Sequence, residues 1–479
     1  MGTAPDGAGA SHEVIRQFGT TAILSGAVSL LLAVWLTAVQ LWPTLAPPIA
    51  WLSHGRLAIV QQHLLLFGLG GSALIASLYS LVNHDTQARP GQRRLQRFTL
   101  QAWQTILVLG SISIAAGFAS GHGQSEYPWP LNLLMLAVWI AVAWLFHVNW
   151  KAGPTARLPV AGWCFIGCLV MILMQHTLLS LTVPLGPLTS LPMFSGSLDA
   201  LLQSWQKGML PGGMLALGFI AMAYQALSGL TRQPLHSHRL AIISFWLLVL
   251  LLPWSGAALL HASALPQWSQ ALGMAMGLLL LAPGLAIPLN GLLTLKADWP
   301  SLRHHPQTCL LGAALLFLAI SVMEHVALSI APLNDMTFSA AGSLSPAGTL
   351  GVIGLVSVLM LYRLRLPEAP SALIMTHAWL AIAGTLLCIA ASWTTTLLQG
   401  SLWHAVDAEG QPLHSLADVL AVARPPMLMT LVGLSCWALG LLLMAAYLLR
   451  ASRRPITRPS TQRAHHHIGD SHARGRTPA

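Results

Sequence analysis

The side chains of this sequence that could do chemistry are ionisable groups inside long apolar runs: His63, His176, Glu324, His325 and His377, with His261 at the end of another run. Hydrocarbon penalises such groups, so they face a cavity, a cofactor or one another. Each imidazole can serve as an interhelical hydrogen-bonding group or as a ligand to a metal or haem iron, and ligation requires a partner on a facing helix. Glu324 beside His325 fits either a protonated acid or a locally paired charge, hence a proton path or a structural site. The five cysteines all lie in apolar runs and form no CxxC pair. Cys164 and Cys168 share a helix face at i, i+4, which suits either a soft metal held by two thiolates or small residues at a helix contact. Near the C-terminus His465, His466 and His467 stand in a row and could scavenge a metal or simply belong to a solvated basic tail.

The elements that must position these groups are membrane spans. Charged residues make up 8% of the 479-residue chain and hydrophobic ones 55%, against about 25% charged in an ordinary soluble domain, which excludes a soluble or disordered protein. Twelve apolar runs are long enough to cross a bilayer, at 20–44, 58–83, 98–118, 130–150, 158–184, 207–230, 239–262, 268–295, 308–331, 341–363, 371–399 and 425–450. The expected fold is all-α: a polytopic membrane protein with a short N-terminal segment (1–19), a twelve-helix domain (20–450) and a disordered basic tail (451–479). The first run is too long for a cleavable signal peptide and lacks a cleavage site after it, so it is expected to stay in the membrane.

The basic residues agree with this count. With both termini cytoplasmic, Arg16, Arg89, Arg93, Arg94, Arg97, Lys151, Arg157, Arg232, Arg239, Lys296, Arg303, Arg363, Arg365 and seven arginines after the last span all lie inside. Only Arg56, Lys207 and Arg424 fall outside, and miscounting one span would scramble the pattern. The net charge of +10 is therefore a topology signal, with membrane lipid rather than nucleic acid as its partner. The outer loops carry Glu126, Asp199, Asp335, Asp407, Glu409 and Asp418, a net negative surface suited to a basic partner.

Several strings resemble subunit I of the cbb-type haem-copper oxidases. SHGRLAIVQQHLLLFGLGGSALIA (53–76) is similar to that family's second helix, and EYPWP (126–130) continues the likeness. HRLAIISFW, WSGAALLHASALPQW, LGMAMGLLLLAP and NGLLTLKADW, between His238 and Trp299, have the order and spacing of its seventh and eighth helices. The likeness runs from about residue 50 to 365 and implies a subunit I-like bundle in a bacterial inner membrane.

The resemblance also implies six histidine ligands, for a low-spin haem, a copper ion and a high-spin haem, and this chain departs at each position. Gln61 stands at the ligand place of the second helix, Gly208 at that of the sixth, Ala258 and Leu259 at the copper pair, and Leu344 and Pro346 at both positions of the tenth. Leu252 replaces the family's cross-linked tyrosine. His63 is two residues past Gln61, about 200° round the helix, and so points away from the ligand face. His261 and Glu324 match family positions that surround the centres. The expectation is thus no cofactor, with haem b held only if His63, His176, His325 or His377 supplies ligands that the resemblance does not assign. Two functions follow. One is a non-catalytic paralogue acting as a structural, assembly or regulatory subunit that docks a membrane-anchored cytochrome c-type partner; the other is an active terminal oxidase or nitric oxide reductase subunit with different ligation. A transporter using Glu324 and the buried histidines as a proton path is a third reading, against which no inverted repeat is visible.

Overall fold

The computed structural model describes residues 6–82, 90–121, 126–152, 159–209, 216–231, 233–257, 266–296, 299, 304–337 and 346–452. The chain begins with α1 (Asp6–Leu41). α2 (His54–His63) then runs through a π-helical stretch, Leu64–Gly71, into α3 (Ser72–Val82). α4 (Pro90–Ala116), α5 (Trp129–Ala152) and α6 (Val160–Leu179) follow. A hairpin of β1 (Thr182–Pro184) and β2 (Ser190–Pro192), antiparallel with Val183 opposite Leu191, leads to α7 (Gly196–Met209). The second half comprises α8 (Phe219–Thr231), α9 (His238–Ser255), α10 (Gln267–Leu279), α11 (Leu281–Leu295), α12 (Pro306–Ser329), α13 (Ala331–Met336), α14 (Pro346–Arg365), α15 (Ser371–Trp403), α16 (Leu416–Ala421) and α17 (Arg424–Ser452).

Among the described residues ten helices are long and apolar enough to cross a membrane. The expected sixth and tenth spans are not among them. α8 belongs to a shorter apolar helix, Ala216–Thr231, and α14 ends on Arg363 and Arg365. Other features also differ from the sequence expectation. α1 starts at Asp6 rather than near residue 20, because Val14, Ile15 and Phe18 are buried and extend its packed face. The fifth span ends at Leu179 rather than 184, where Pro184, Pro187 and Pro192 mark the hairpin. The run 268–295 divides at Leu280 into α10 and α11. The second span is not a plain α-helix, since the glycines at 68, 70 and 71 accompany a wider π turn. The expected disordered tail lies outside the described residues apart from its first two, which close α17.

Lipid tails supply no hydrophobic drive between helices, so close contact depends on small residues. A first side-chain carbon at Gly68 would sit 2.5 Å from Ser25 Cβ, which holds the π stretch directly against α1. At the α15–α17 seam the same carbon at Gly384 would fall 2.5 Å from the Gly433 carbonyl oxygen, so backbone meets backbone. Trp437 then spans from α17 to α15 by donating its indole N–H to Thr385 Oγ1 at 2.7 Å.

Candidate functional site

The second span carries the first of the sequence-derived positions. On α2, Gln61 is closed on α1: Ser29 Oγ donates to its backbone carbonyl at 2.9 Å and its Nε2 donates to Ser29 Oγ at 3.2 Å. His63, the last residue of α2 before the π-helical stretch, uses both ring nitrogens. Nε2 accepts the backbone N–H of Glu126 at 3.0 Å. That obligate donor leaves Nδ1 to carry the proton, which it gives to the Ile59 carbonyl at 2.8 Å. The imidazole is therefore neutral, and it packs edge-on against Tyr127 with ring centroids 4.7 Å apart.

The run from Glu126 to Asn132 forms a clasp around this histidine. Glu126 Oε2 accepts from Gly121 N at 2.8 Å, Asn132 Nδ2 donates to the Tyr127 carbonyl at 2.7 Å, and Trp129 Nε1 donates to Gly186 O at 2.9 Å, tying the hairpin down. Tyr127 lies on Gly110, where a side-chain carbon would fall 2.3 Å from its ring. The sequence flagged EYPWP only as part of a resemblance. The contact from His63 to a backbone amide 63 positions later has no side-chain signature that a sequence could display.

Of the other buried imidazoles, His176 is linked to this clasp through Phe67, whose ring centroid lies 5.7 Å from that of His63. His176 on α6 donates Nδ1–H to the Ile172 carbonyl at 3.0 Å and lies 6.2 Å, ring to ring, from Phe67 and 6.4 Å from Trp139. His377 on α15 shares a hydrogen bond of 3.0 Å with the Tyr362 hydroxyl on α14. His325 on α12 is buried with no hydrogen-bond partner on either nitrogen, so it makes no hydrogen bond to Glu324, one of the two arrangements that the sequence allows for this pair. Neighbouring residues on a helix diverge by about 100°, which directs the two groups apart. Among the described residues no three His, Cys, Asp or Glu side chains gather as a metal site.

Of the remaining positions, Gly208 lies in the last turn of α7 and Pro346 opens α14, a place that suits proline because a first-turn N–H has no helical partner. Ala258, Leu259, His261 and Leu344 lie outside the described residues. Leu252 is buried in the common core. Between α8, α11, α12 and α14, Tyr224, Ile287, Leu315 and Val352 help line an apolar cavity of about 10 Å³, room for no more than about one water. The cysteines behave as small contact residues: Cys168 Sγ lies over Gly218 and Cys388 Sγ over Gly433. All five are free thiols.

Two groups that sequence reasoning left without a role are helix caps. Arg56 Nη1 donates to the Ala115 carbonyl at 3.0 Å, at the end of α4. There Gly117 (φ +100°) turns the chain, with Phe118 N bonded to Ser113 O and Gly117 N to Ile114 O in a Schellman arrangement. Arg424 Nη2 reaches the carbonyl of Leu41, the last residue of α1, at 3.4 Å. A guanidinium at a helix C-terminus meets the negative end of the helix dipole. Two of the three exceptions to the charge pattern, Arg56 and Arg424, are thus accounted for, and the exception itself was the readable signal. The NGLLTL run is also structural: Asn290 accepts from Ser237 N and donates to Ser237 O, each at 2.9 Å, and Thr294 Oγ1 accepts from His236 N at 3.0 Å.

A bundle of long apolar helices with a few buried polar nodes defines an integral membrane protein. The sequence profile described as Cytochrome C and Quinol oxidase polypeptide I matches residues 13–435, and the chain belongs to this haem-copper oxidase subunit I family. It is 32% identical over 443 residues to the Cbb3-type cytochrome c oxidase subunit CcoN1 of Stutzerimonas stutzeri, covering 91% of this chain and 94% of that one. It is also 32% identical over 407 residues to Cytochrome c oxidase subunit 1 of Rhodobacter capsulatus, covering 82% and 76% respectively. The fold is similar to that of a haem-copper terminal oxidase dimer solved by cryo-electron microscopy, with a TM-score of 0.68 over 93% of this chain and 85% of that one at 13% identity.

Proposed function

We propose that this chain is a non-catalytic paralogue of cbb-type oxidase subunit I. In this reading it crosses a bacterial inner membrane twelve times with both termini cytoplasmic, and serves as a structural, assembly or regulatory subunit beside a membrane-anchored cytochrome c-type partner. Haems and copper are the groups that the family implies, and the donor set here does not fit them. The observation that carries the reading is the pair Gln61 and His63: the first is an amide closed on Ser29, and the second has spent both nitrogens on Ile59 and Glu126. The described part of α14 contains no histidine to face them. Leu252, an apolar side chain in the core, offers no donor atom.

The alternative, an active terminal oxidase or nitric oxide reductase subunit with other ligands, draws support from one observation. His176, His325 and His377 each keep an Nε2 without a hydrogen-bond partner. They sit on α6, α12 and α15 in separate surroundings, so none supplies the second imidazole that a six-coordinate haem needs. Oxygen and nitric oxide uptake by membranes with and without this chain separates the two readings. The paralogue reading expects no uptake that depends on the chain's own polar residues. Uptake abolished by His176→Phe, His325→Phe or His377→Phe at unchanged chain level would establish the enzyme.

A further inference from the structure

The end of the bundle that carries the hairpin also carries a second built surface. α13 and the segment 404–423, between α15 and α17, are joined: His404 Nε2 hydrogen-bonds to the Asp335 carbonyl, and Gln399 Nε2 donates to Val419 O at 3.2 Å. Val406 and Pro412 form a β-bridge, and Ser415 with Asp418 closes a capping box on α16. The segment therefore holds its own shape. Its apolar side chains nevertheless face outward, with Met336 64% exposed, Leu413 58%, Val406 55% and Leu420 53%.

Depth argues against lipid tails as their cover. The exposed Trp379 and Trp403 of α15 are separated by about 36 Å of helix, close to the ~30 Å of hydrocarbon that interfacial tryptophans bracket. Residues 404–423 accordingly lie at the headgroups or beyond. Charge narrows the occupant further. The platform bears Asp335, Asp407, Glu409 and Asp418, and its one cation among the described residues, Arg424, is turned onto the end of α1. Anionic headgroups would be repelled, and so would the same acidic face of a second copy.

The geometry points to this platform as the docking surface for the extracytoplasmic domain of a partner subunit, one whose face is basic around an apolar centre. The platform deepens the subunit reading above by giving the partner a place and a chemistry. Apolar contact at the middle supplies affinity, and the carboxylates at the rim supply orientation and exclude acidic partners.

The test uses the full-length chain in its native membranes with a benzophenone side chain at position 413 or 420, and at 386, on the exposed flank of α15, as the lipid-facing control. The expected result is a protein adduct from 413 and 420 whose cross-linked segment is rich in Lys and Arg, with none from 386. The adduct should fall at least about tenfold with Asp335→Lys and Glu409→Lys together, and likewise between about 50 mM and 500 mM salt. Replacing the partner's cross-linked lysines by glutamate should restore it in the reversed chain. Lipid adducts alone, adducts to a second copy, adducts indifferent to the charge reversal, or no adduct would each overturn the proposal. The chain's level and melting temperature are followed in every variant to confirm folding. A haem-bearing chain that still gives the charge-dependent adduct would sink the non-catalytic reading alone, and a haem-free chain without the adduct would sink this proposal alone.

Discussion

Two buried imidazoles in this bundle live in opposite circumstances. At the α2 clasp, His63 is matched donor for acceptor with Ile59 and Glu126, although the adjoining Tyr127 hydroxyl lacks a partner. At the α12–α14 crossing, Ser321 presses its hydroxyl to within 2.3 Å of where a Gly348 side chain would begin, and neither it nor His325 has a hydrogen-bond partner. An imidazole with both nitrogens committed fixes a loop and is closed to iron. An imidazole with both free contributes nothing to packing that a phenyl ring would not. The contrast separates scaffold from spare chemistry within one span type, and four substitutions sharpen it.

The largest effect is expected from His63→Ala. It strips Glu126 of its acceptor, deletes the ring packed on Tyr127 and opens the clasp, which together cost about 3 kcal/mol or more. Reversible unfolding in mixed micelles measures this; a loss below about 1 kcal/mol would mean the clasp is not holding the loop. Gly117→Val comes next, at about 2 kcal/mol, because a branched side chain resists φ +100° and meets Arg56 Nη2 at 2.9 Å. Proteolysis within the α4–α5 connection should accelerate in parallel. Gln61→Leu should cost about 1 kcal/mol, since Ser29 keeps its bond to the backbone carbonyl and loses only the amide donor. The smallest effect belongs to His325→Phe, within about 0.5 kcal/mol and of either sign, because no partner is stranded. A clear loss of stability there would reveal a ligand or water on His325 and would erase the contrast with His63.

How far the sequence reached can be judged from the same residues. Apolar runs located ten of the twelve expected spans among the described residues, since span length is local and strongly constrained by the bilayer. The resemblance singled out Gln61, and the site it occupies is a helix contact with Ser29. Boundaries set by tertiary packing were not legible. Val14 and Phe18 extend α1 because neighbours bury them, and the hairpin after Leu179 is fixed partly by the bond from Trp129 to Gly186. For His63 the residue type allows either a hydrogen bond that fixes packing or a ligand, and the choice depends on a distant backbone amide. Arg56 and Arg424 broke the charge pattern visibly, yet which carbonyl each would cap depended on where α4 and α1 end.

The central claim is that this family scaffold holds neither of the family's metals, and it is tested most directly by haem and copper content per chain. A pyridine haemochrome assay with elemental analysis of the purified full-length protein should give far less than one haem and one copper per chain, with no absorbance change on dithionite reduction. One haem b per chain, retained through gel filtration and lost in His176→Phe, His325→Phe or His377→Phe, would contradict the account.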